Sequence, residues 1–204
     1  MACVNVNSFW PCFQTPELRR FDYTAIDGSM PPITSVFSWD KGSSSMLLSD
    51  YSGGASPVFK DKWYYQYRPG FGLAEWRDDY PGGKKVVMDA PIGWGDTQEI
   101  GSAYVNYPQM VWWQSWPPSF SKGCQIVAFE ELHPSFSLTT GNYNNVLQFT
   151  YLQSWDSKPA LGARYWMAEG IGPVAVQWMA QDPKNPIHNP LIITARMDAV
   201  ISHV

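Results

Sequence analysis

Residues 146–155, which read VLQFTYLQSW, alternate between large apolar and polar side chains. In an extended chain, successive side chains point to opposite faces, so Leu147, Phe149 and Tyr151 share one face, while Gln148 and Thr150 share the other. A period of two is typical of a β-strand with one buried and one polar face. This stretch therefore predicts a half-buried strand.

Residues 191–201 show the same alternation near the C-terminus. The odd positions are all apolar, and Thr194, Arg196 and Asp198 fall on the opposite, polar face. The pattern predicts one continuous half-buried strand. Shorter candidate strands lie at residues 33–39, 86–88, 110–116 and 125–131.

Glycine and proline separate these segments, as expected of turns between strands. No long stretch carries the apolar stripe of a helix, and only single helical turns are expected, at residues 15–18 and 156–161. We therefore predict a single all-β domain over residues 1–204. The expected architecture is an antiparallel β-sandwich of jelly-roll type, with a flattened β-barrel as the alternative.

Two segments, residues 63–76 and 165–178, resemble each other. Each contains a tyrosine, then Gly-x-Gly five residues later, then a tryptophan. Each predicts a β-hairpin whose glycines adopt the turn, and the pair suggests a sheet with two related halves, unless the match is a coincidence of short aromatic segments. The Gly-x-Gly is not a phosphate-binding loop, because the residues after Gly172 continue as a strand pattern.

Composition excludes several classes of protein. Hydrophobic residues make up 45% of the chain and the formal net charge is −4, which excludes intrinsic disorder. The sequence pI is about 5.3 and the basic residues are scattered, so nucleic acid is not an expected partner. Glycine, proline or a charge interrupts every apolar run, so no transmembrane helix is predicted.

The chain is rich in aromatic side chains, with 11 Trp, 11 Tyr and 10 Phe. Most of them are expected to fill the space between packed sheets. We predict core positions for four tryptophans in alternating strands: Trp39, Trp76, Trp155 and Trp178.

Other tryptophans fit a core less well. Trp94 lies between two glycines in a loop, and Trp112, Trp113 and Trp116 precede Pro117-Pro118. Adjacent residues of a strand point to opposite faces, so one of Trp112 and Trp113 is expected to face outward.

An exposed indole beside amides or carboxylates suits a sugar, whose C–H face packs on the ring while its hydroxyl groups form hydrogen bonds. We therefore predict a non-catalytic, lectin-like carbohydrate-binding module. Its predicted ligand-binding residues are Trp94, Asp96, Trp112, Trp113 and Trp116. Further polar contacts are expected from Gln98, Gln114, Asn142, Asn144 and Asn145. A partner-protein surface is the alternative ligand.

A glycoside hydrolase with a carboxylate pair is a second hypothesis. The available acids are Asp96, Glu99, Glu130, Glu131 and Glu169, and no motif singles out any of them. Glu130 and Glu131 are expected to be ordinary solvated acids at a strand end. Glu131 and His133 could share a face, but two ligands are too few for a metal site, so no metal and no cofactor is predicted and the catalytic residues stay unassigned.

A third hypothesis is a structural subunit of an extracellular or virion assembly, with aromatic patches buried between copies as a homo-oligomer. The first residues lack the basic start and apolar stretch of a secretory signal, so there was none or it was removed. The compartment stays open, with an extracellular or virion setting favoured over the cytoplasm. Cys3, Cys12 and Cys124 are expected to be thiols, with a Cys3–Cys12 bridge as the alternative.

Overall fold

The computed structural model describes twelve segments of the chain: residues 2–10, 18–40, 45–52, 58–68, 72–80, 84–88, 97–107, 109–112, 119–156, 160–181, 190–192 and 194–203. These segments form antiparallel β-strands, with one short 3-10 helix at Val6–Phe9 as their helical element. The prediction of an all-β, antiparallel fold is confirmed. The described segments hold no helix of the length and hydropathy needed to cross a lipid bilayer.

The first eight strands precede residue 100. They are β1 (Cys3–Asn5), β2 (Arg19–Ala25), β3 (Ile33–Asp40), β4 (Ser45–Ser52), β5 (Val58–Arg68), β6 (Gly72–Tyr80), β7 (Lys84–Met88) and β8 (Thr97–Glu99).

The remaining strands include a long central hairpin. They are β9 (Ala103–Asn106), β10 (Gln109–Trp112), β11 (Ser119–Leu138), β12 (Gly141–Trp155), β13 (Leu161–Ala168), β14 (Gly172–Gln181), β15 (Pro190–Ile192) and β16 (Met197–His203).

Strand pairing follows the order of the sequence over most of the large sheet. Strands β2 to β7 pair consecutively, as do β11 to β14, and β16 lies between β14 and β2 and so joins the two series. Strand β10 pairs with both β7 and β11, while β9 adds to β11 and β15 adds to β14. Strands β1 and β8 form a separate two-stranded sheet.

The two Gly-x-Gly segments each contribute a pair of adjacent antiparallel strands. The β5–β6 pairing reaches Arg68 opposite Gly72, and the β13–β14 pairing reaches Ala168 opposite Gly172. Four strands separate the two hairpins in the sheet: β4, β3, β2 and β16. In the β13–β14 turn, Gly170 has a φ of 70°, a conformation that favours glycine.

The apolar face of the sheet carries the main core. Phe149 of β12 is buried, and its ring lies 5.3 Å from that of Tyr165 on β13 and 6.1 Å from that of Phe129 on β11. The N-terminal segment covers this face, because Phe9 and Trp10 belong to the same buried cluster. Leu147 and Phe149 lie on this core face as predicted, but the opposite face of β12 is not simply polar, because Val146, Thr150 and Leu152 on that face are also buried.

The predicted strand at residues 191–201 is instead two strands, so this prediction was wrong. Strand β15 pairs with the end of β14, whereas β16 pairs with Ala175 and Val176 nearer its start and with β2. Between the two strands, Thr194 leaves the regular ladder: its hydroxyl oxygen accepts a hydrogen bond from the Trp178 amide at 2.9 Å. The alternation of side chains continues through this break, which is why the sequence did not show it.

The core prediction is wrong for Trp39, which is 36% exposed. It is the penultimate residue of β3, where the strand reaches the end of the sheet. Trp178 is half-buried, while the side chains of Trp76 and Trp155 lie outside the described residues. Cys3 and Cys124 are free thiols, and Cys12 also lies outside the described residues.

Candidate functional site

Most of the predicted tryptophan site lies outside the described residues. This applies to Trp94, Asp96, Trp113 and Trp116. The backbone of Trp112 is described and lies opposite Ser119 of β11 and Val86 of β7, but its side chain is not described. These residues remain a prediction.

The five further polar contacts predicted for that site have different outcomes. Gln98 is buried, with its backbone opposite Val4 of β1, so it does not line an exposed sugar site. Gln114 lies outside the described residues. Asn142, Asn144 and Asn145 are exposed, but they lie on the β11–β12 hairpin.

Strands β9 and β10 both pair with β11, and we call residues 103–107 and 109–112 the β9–β10 ribbon. One exposed aromatic side chain lies on this ribbon. Tyr107 is 78% exposed and sits between β9 and β10. Both strands pair with β11 in a single register, with Asn106 opposite Gln125 and Gln109 opposite Lys122. The ribbon that leads to Trp112 therefore presents at least one ring to solvent.

The end of the β11–β12 hairpin packs on the other face of the sheet, over a second buried apolar cluster that includes Trp166 and Val174. We call residues 134–145 the arm. The Phe136 ring stacks on the indole of Trp166 in β13, with centroids 6.1 Å apart, and Thr139 at the arm tip binds Asp198 of β16. Because β14 lies between β13 and β16, the arm crosses over these strands.

A cleft of about 400 Å³ lies where the arm tip meets the sheet. Four parts of the chain form its walls: the arm, the β13–β14 turn, the start of β2 and the middle of β16. The lining residues are Arg19, Thr140, Tyr143, Gly170, Ile171, Val200 and Ile201.

Arg19 and the N-terminal segment fix one wall of this cleft. The Arg19 guanidinium donates hydrogen bonds to the carbonyl oxygens of Gly170 and Ile171, the latter at 2.9 Å. The Gly170 amide donates to the Ser8 carbonyl at 2.7 Å. The β13–β14 turn is therefore held from two sides, which makes this wall rigid.

The arm also contacts the same turn. The Asn145 amide side chain donates to Glu169 Oε2 at 2.9 Å, and the Glu169 backbone amide donates to the Asn145 carbonyl at 3.1 Å. Asn145 adopts a φ of 50°, which asparagine tolerates better than most residues. The arm is thus bonded to the β13–β14 turn at Asn145, although neither Asn145 nor Glu169 lines the cleft.

The chemistry of the cleft suits a small molecule with both an apolar and a polar side. Tyr143 offers a ring and a hydroxyl group, and Thr140 offers a second hydroxyl group. Asn142 and Asn144 flank Tyr143 in β12, so their exposed amides point to the opposite face and do not line the cleft. Val200 and Ile201 supply an apolar opposite wall. Concave sites of this kind combine apolar area with a few orienting polar groups.

A second cluster surrounds Glu130 at an irregularity of β11. The register with β12 shifts between Phe129 and Glu131, as in a β-bulge. Glu130 accepts hydrogen bonds from Gln148 Nε2 at 2.5 Å, from Thr150 Oγ1 at 2.7 Å and from Arg164 at 3.0 Å. Arg164 Nε also lies 2.8 Å from Glu130 Oε2.

These contacts keep Glu130 ionised. Burial alone would raise the pKa of Glu130, but the hydrogen bonds from Arg164, Gln148 and Thr150, together with the charge of Arg164, outweigh burial and lower the pKa below its usual value. The expectation of an ordinary solvated acid was therefore wrong for Glu130, because its side chain is only 25% exposed and is bonded to partners on β12 and β13.

Glu131 is exposed, as expected, and its Oε1 lies 3.4 Å from His133 Nδ1. His133 Nε2 is 3.1 Å from Gln148 Oε1, which also accepts a hydrogen bond from the Trp166 indole at 3.0 Å. Among the side chains described, no three His, Cys, Asp or Glu residues converge as metal ligands would.

The sequence analysis did not identify Arg19, Thr140 or Tyr143 as site residues. Tyr143 carried one signal, because it is an aromatic residue flanked by asparagines in a turn-prone stretch. Arg19 carried none, since its contact with the β13–β14 turn joins residues far apart in the chain.

Comparison of the chain with protein-family models, curated proteins and solved structures gives no match in any of the three.

Proposed function

We propose that this chain is a non-catalytic, lectin-like carbohydrate-binding module and that the cleft beside Tyr143 is a sugar-binding site. The observation that carries the proposal is the cleft itself, in which an aromatic ring and hydroxyl groups from the arm face an apolar wall from β16. Its volume of about 400 Å³ falls within the range of roughly 300–1,000 Å³ found for small-molecule sites.

The physical basis is the two-sided character of a pyranose ring. Its C–H face packs against an aromatic ring, and its hydroxyl groups exchange hydrogen bonds with amides and hydroxyls. Tyr143 provides the ring, while its hydroxyl group and that of Thr140 provide polar partners at the cleft.

The predicted tryptophan site remains part of the proposal as a second contact surface. It comprises Trp94, Asp96, Trp112, Trp113 and Trp116. The exposed ring of Tyr107 supports a role for the ribbon that leads to Trp112.

A pair of matched variants tests which surface binds. We expect Tyr143→Ala to weaken binding to the preferred glycan on an array by about tenfold or more, because loss of one stacking ring removes roughly 1–2 kcal/mol. Tyr107→Ala removes a ring from the second surface instead: Tyr107 is 78% exposed, whereas Tyr143 is only partly exposed, and Tyr107→Ala is expected to weaken binding less than Tyr143→Ala.

The affinities of the two variants distinguish the two candidate surfaces. If only Tyr107→Ala weakens binding, the glycan binds at the β9–β10 ribbon and not in the cleft. If the parent protein binds no glycan on the array or on insoluble polysaccharides, the carbohydrate proposal is wrong.

The hydrolase hypothesis gains little from the described acids. A glycosidase needs one carboxylic acid that holds its proton, whereas Glu130 is held ionised by Arg164. Release of new reducing ends from mixed polysaccharides would favour this alternative over a binding module.

We further propose that the large sheet closes as a flattened barrel, the alternative to the jelly-roll sandwich. Two observations support it: neighbouring strands are mostly consecutive in sequence, and β10 pairs on one side with β7 and on the other with β11. Slow amide exchange along both edges of β10 would be expected, and fast exchange along either edge would favour an open sandwich.

A structural subunit remains the third proposal, in an extracellular or virion assembly with a homo-oligomeric interface. Sedimentation tests it, because an obligate assembly keeps its oligomeric state on dilution and a monomer would contradict it.

A further inference from the structure

We infer that Asp198 is a positioning residue of the cleft, which holds the arm tip against β16 and so sets the separation of the two walls. The inference rests on the proposed function, since it concerns the same cleft. It names a residue that does not line the cleft and would touch no ligand there.

The carboxylate of Asp198 makes four hydrogen bonds. Thr139 donates to Oδ2 from its backbone amide and from its hydroxyl, both at 2.8 Å. Arg196 donates to Oδ1 at 2.7 Å and to Oδ2 at 3.2 Å. Asp198 is only 1% exposed, so these bonds replace all of its water.

An aromatic stack supports the same contact. The Arg196 guanidinium lies 5.7 Å above the Phe136 ring, which in turn stacks on Trp166 of β13. The cation that neutralises Asp198 therefore also packs on the arm. Loss of the carboxylate would release both the Thr139 bonds and the partner that orients Arg196.

The position of this contact explains its effect on the cleft. On the arm, Thr139 is bonded to Thr140, which lines one wall. On β16, Val200 follows Asp198 by two residues, so both side chains lie on the same face of the strand, and Val200 lines the facing wall. The two walls are thus joined at Asp198.

The neighbouring strand offers a control with the same local arrangement but a more exposed carboxylate, at 38% against 1% for Asp198. Asp22 of β2 pairs with Arg20 two residues earlier, at 2.8 Å, and accepts a hydrogen bond from the Thr34 hydroxyl at 2.5 Å. This repeats the Arg-x-Asp arrangement with a threonine partner, but Thr34 belongs to β3 and not to the arm.

The experiment compares Asp198→Asn with Asp22→Asn by hydrogen exchange and glycan affinity. In Asp198→Asn we expect amides of the arm to exchange about tenfold faster or more, with β12–β13 core amides unchanged, and affinity to fall about tenfold. Both quantities should stay within about twofold of the parent in Asp22→Asn.

A second variant covers the case in which Asp198→Asn does not fold. Thr139→Val removes one donor but leaves the Asp198–Arg196 pair intact, and it should show the same pattern with a smaller amplitude. Parent-like affinity in a variant with faster arm exchange would overturn the inference, as would unchanged exchange of the arm. Absence of glycan binding by the parent would instead overturn the proposed function, and the exchange data would still report whether Asp198 holds the arm.

Discussion

Replacing Arg164 with methionine removes the cation beside Glu130 while keeping a long apolar stem. The two side chains are 23% and 25% exposed, so this ion pair is mostly removed from water. Removing one partner of a buried pair costs about 3–5 kcal/mol, because the other charge is left without compensation. The residual exposure of this pair places the expected cost near the lower value, at about 3 kcal/mol.

The double variant Arg164→Met/Glu130→Gln leaves no charge unpaired. It is therefore expected to be more stable than Arg164→Met by about 1–2 kcal/mol, with a coupling free energy well above the roughly 0.5 kcal/mol seen for independent sites. Urea unfolding of the parent, the two single variants and the double variant at pH 7 measures this coupling. Strictly additive costs would refute the view that Glu130 and Arg164 act as a pair.

The same pair gives a pH dependence with a definite sign. Burial raises the pKa of Glu130, but the hydrogen bonds and the charge around it lower its folded pKa below the usual value. The folded state therefore binds this proton less readily than the unfolded state. The stability that the carboxylate contributes is present above its unfolded pKa, about 4.3, and is lost as the pH falls through the lower folded pKa. The stability difference between the parent and Glu130→Gln should therefore shrink in acid, and a difference that is constant from neutral to acid pH would contradict this.

Two further predictions concern the sheet itself. Gly162→Ala should abolish folding, because a Cβ at this position would overlap the backbone oxygen of Tyr151 on the adjacent strand. Gly28→Ala should cost only about 1 kcal/mol, because Gly28 has open space around it and a φ of 69°. Soluble yield and thermal unfolding of the two variants check this, and a folded Gly162→Ala variant would contradict the strand packing. Phe149→Ala should destabilise the fold by about 3–5 kcal/mol in urea unfolding, whereas the exposed Val200→Ala should change it by less than about 0.5 kcal/mol, and similar costs for both would contradict the assignment of the core face.

The sequence predicted those features of the fold that depend only on residues close together in the chain. The alternation of residues 146–155 identified β12 and its core face, because a strand with one buried face needs that period whatever its neighbours are. The tyrosine and Gly-x-Gly of residues 165–178 likewise matched a β-strand pair with a glycine turn.

The errors arose where distant parts of the chain decide the structure. Asp198 lies on the polar face of its strand as predicted, yet it is buried, because an arm that begins some sixty residues earlier covers that face. The sequence pattern predicted a solvated Glu130. The register shift beside it depends on how many residues the partner strand presents, and it leaves no local signal in the sequence. No pattern along the chain encodes either contact.

The candidate cleft was hidden for the same reason. Arg19 and Tyr143 are more than a hundred residues apart, and they line one cleft only because the arm crosses the sheet to reach β16. The sequence shows an aromatic residue among asparagines at Tyr143, but those asparagines do not line the cleft, and the position of the site depends on topology.

An NMR titration of the isotopically labelled protein with its preferred glycan tests most directly whether the cleft binds sugar. We expect the largest amide shifts at Thr140, Gly170, Ile171 and Val200, which come from three separate parts of the chain and meet only at the cleft. Shifts that concentrate on the β9–β10 ribbon, or that leave all four of these amides unchanged at saturating glycan, would contradict a binding site between the arm and the sheet.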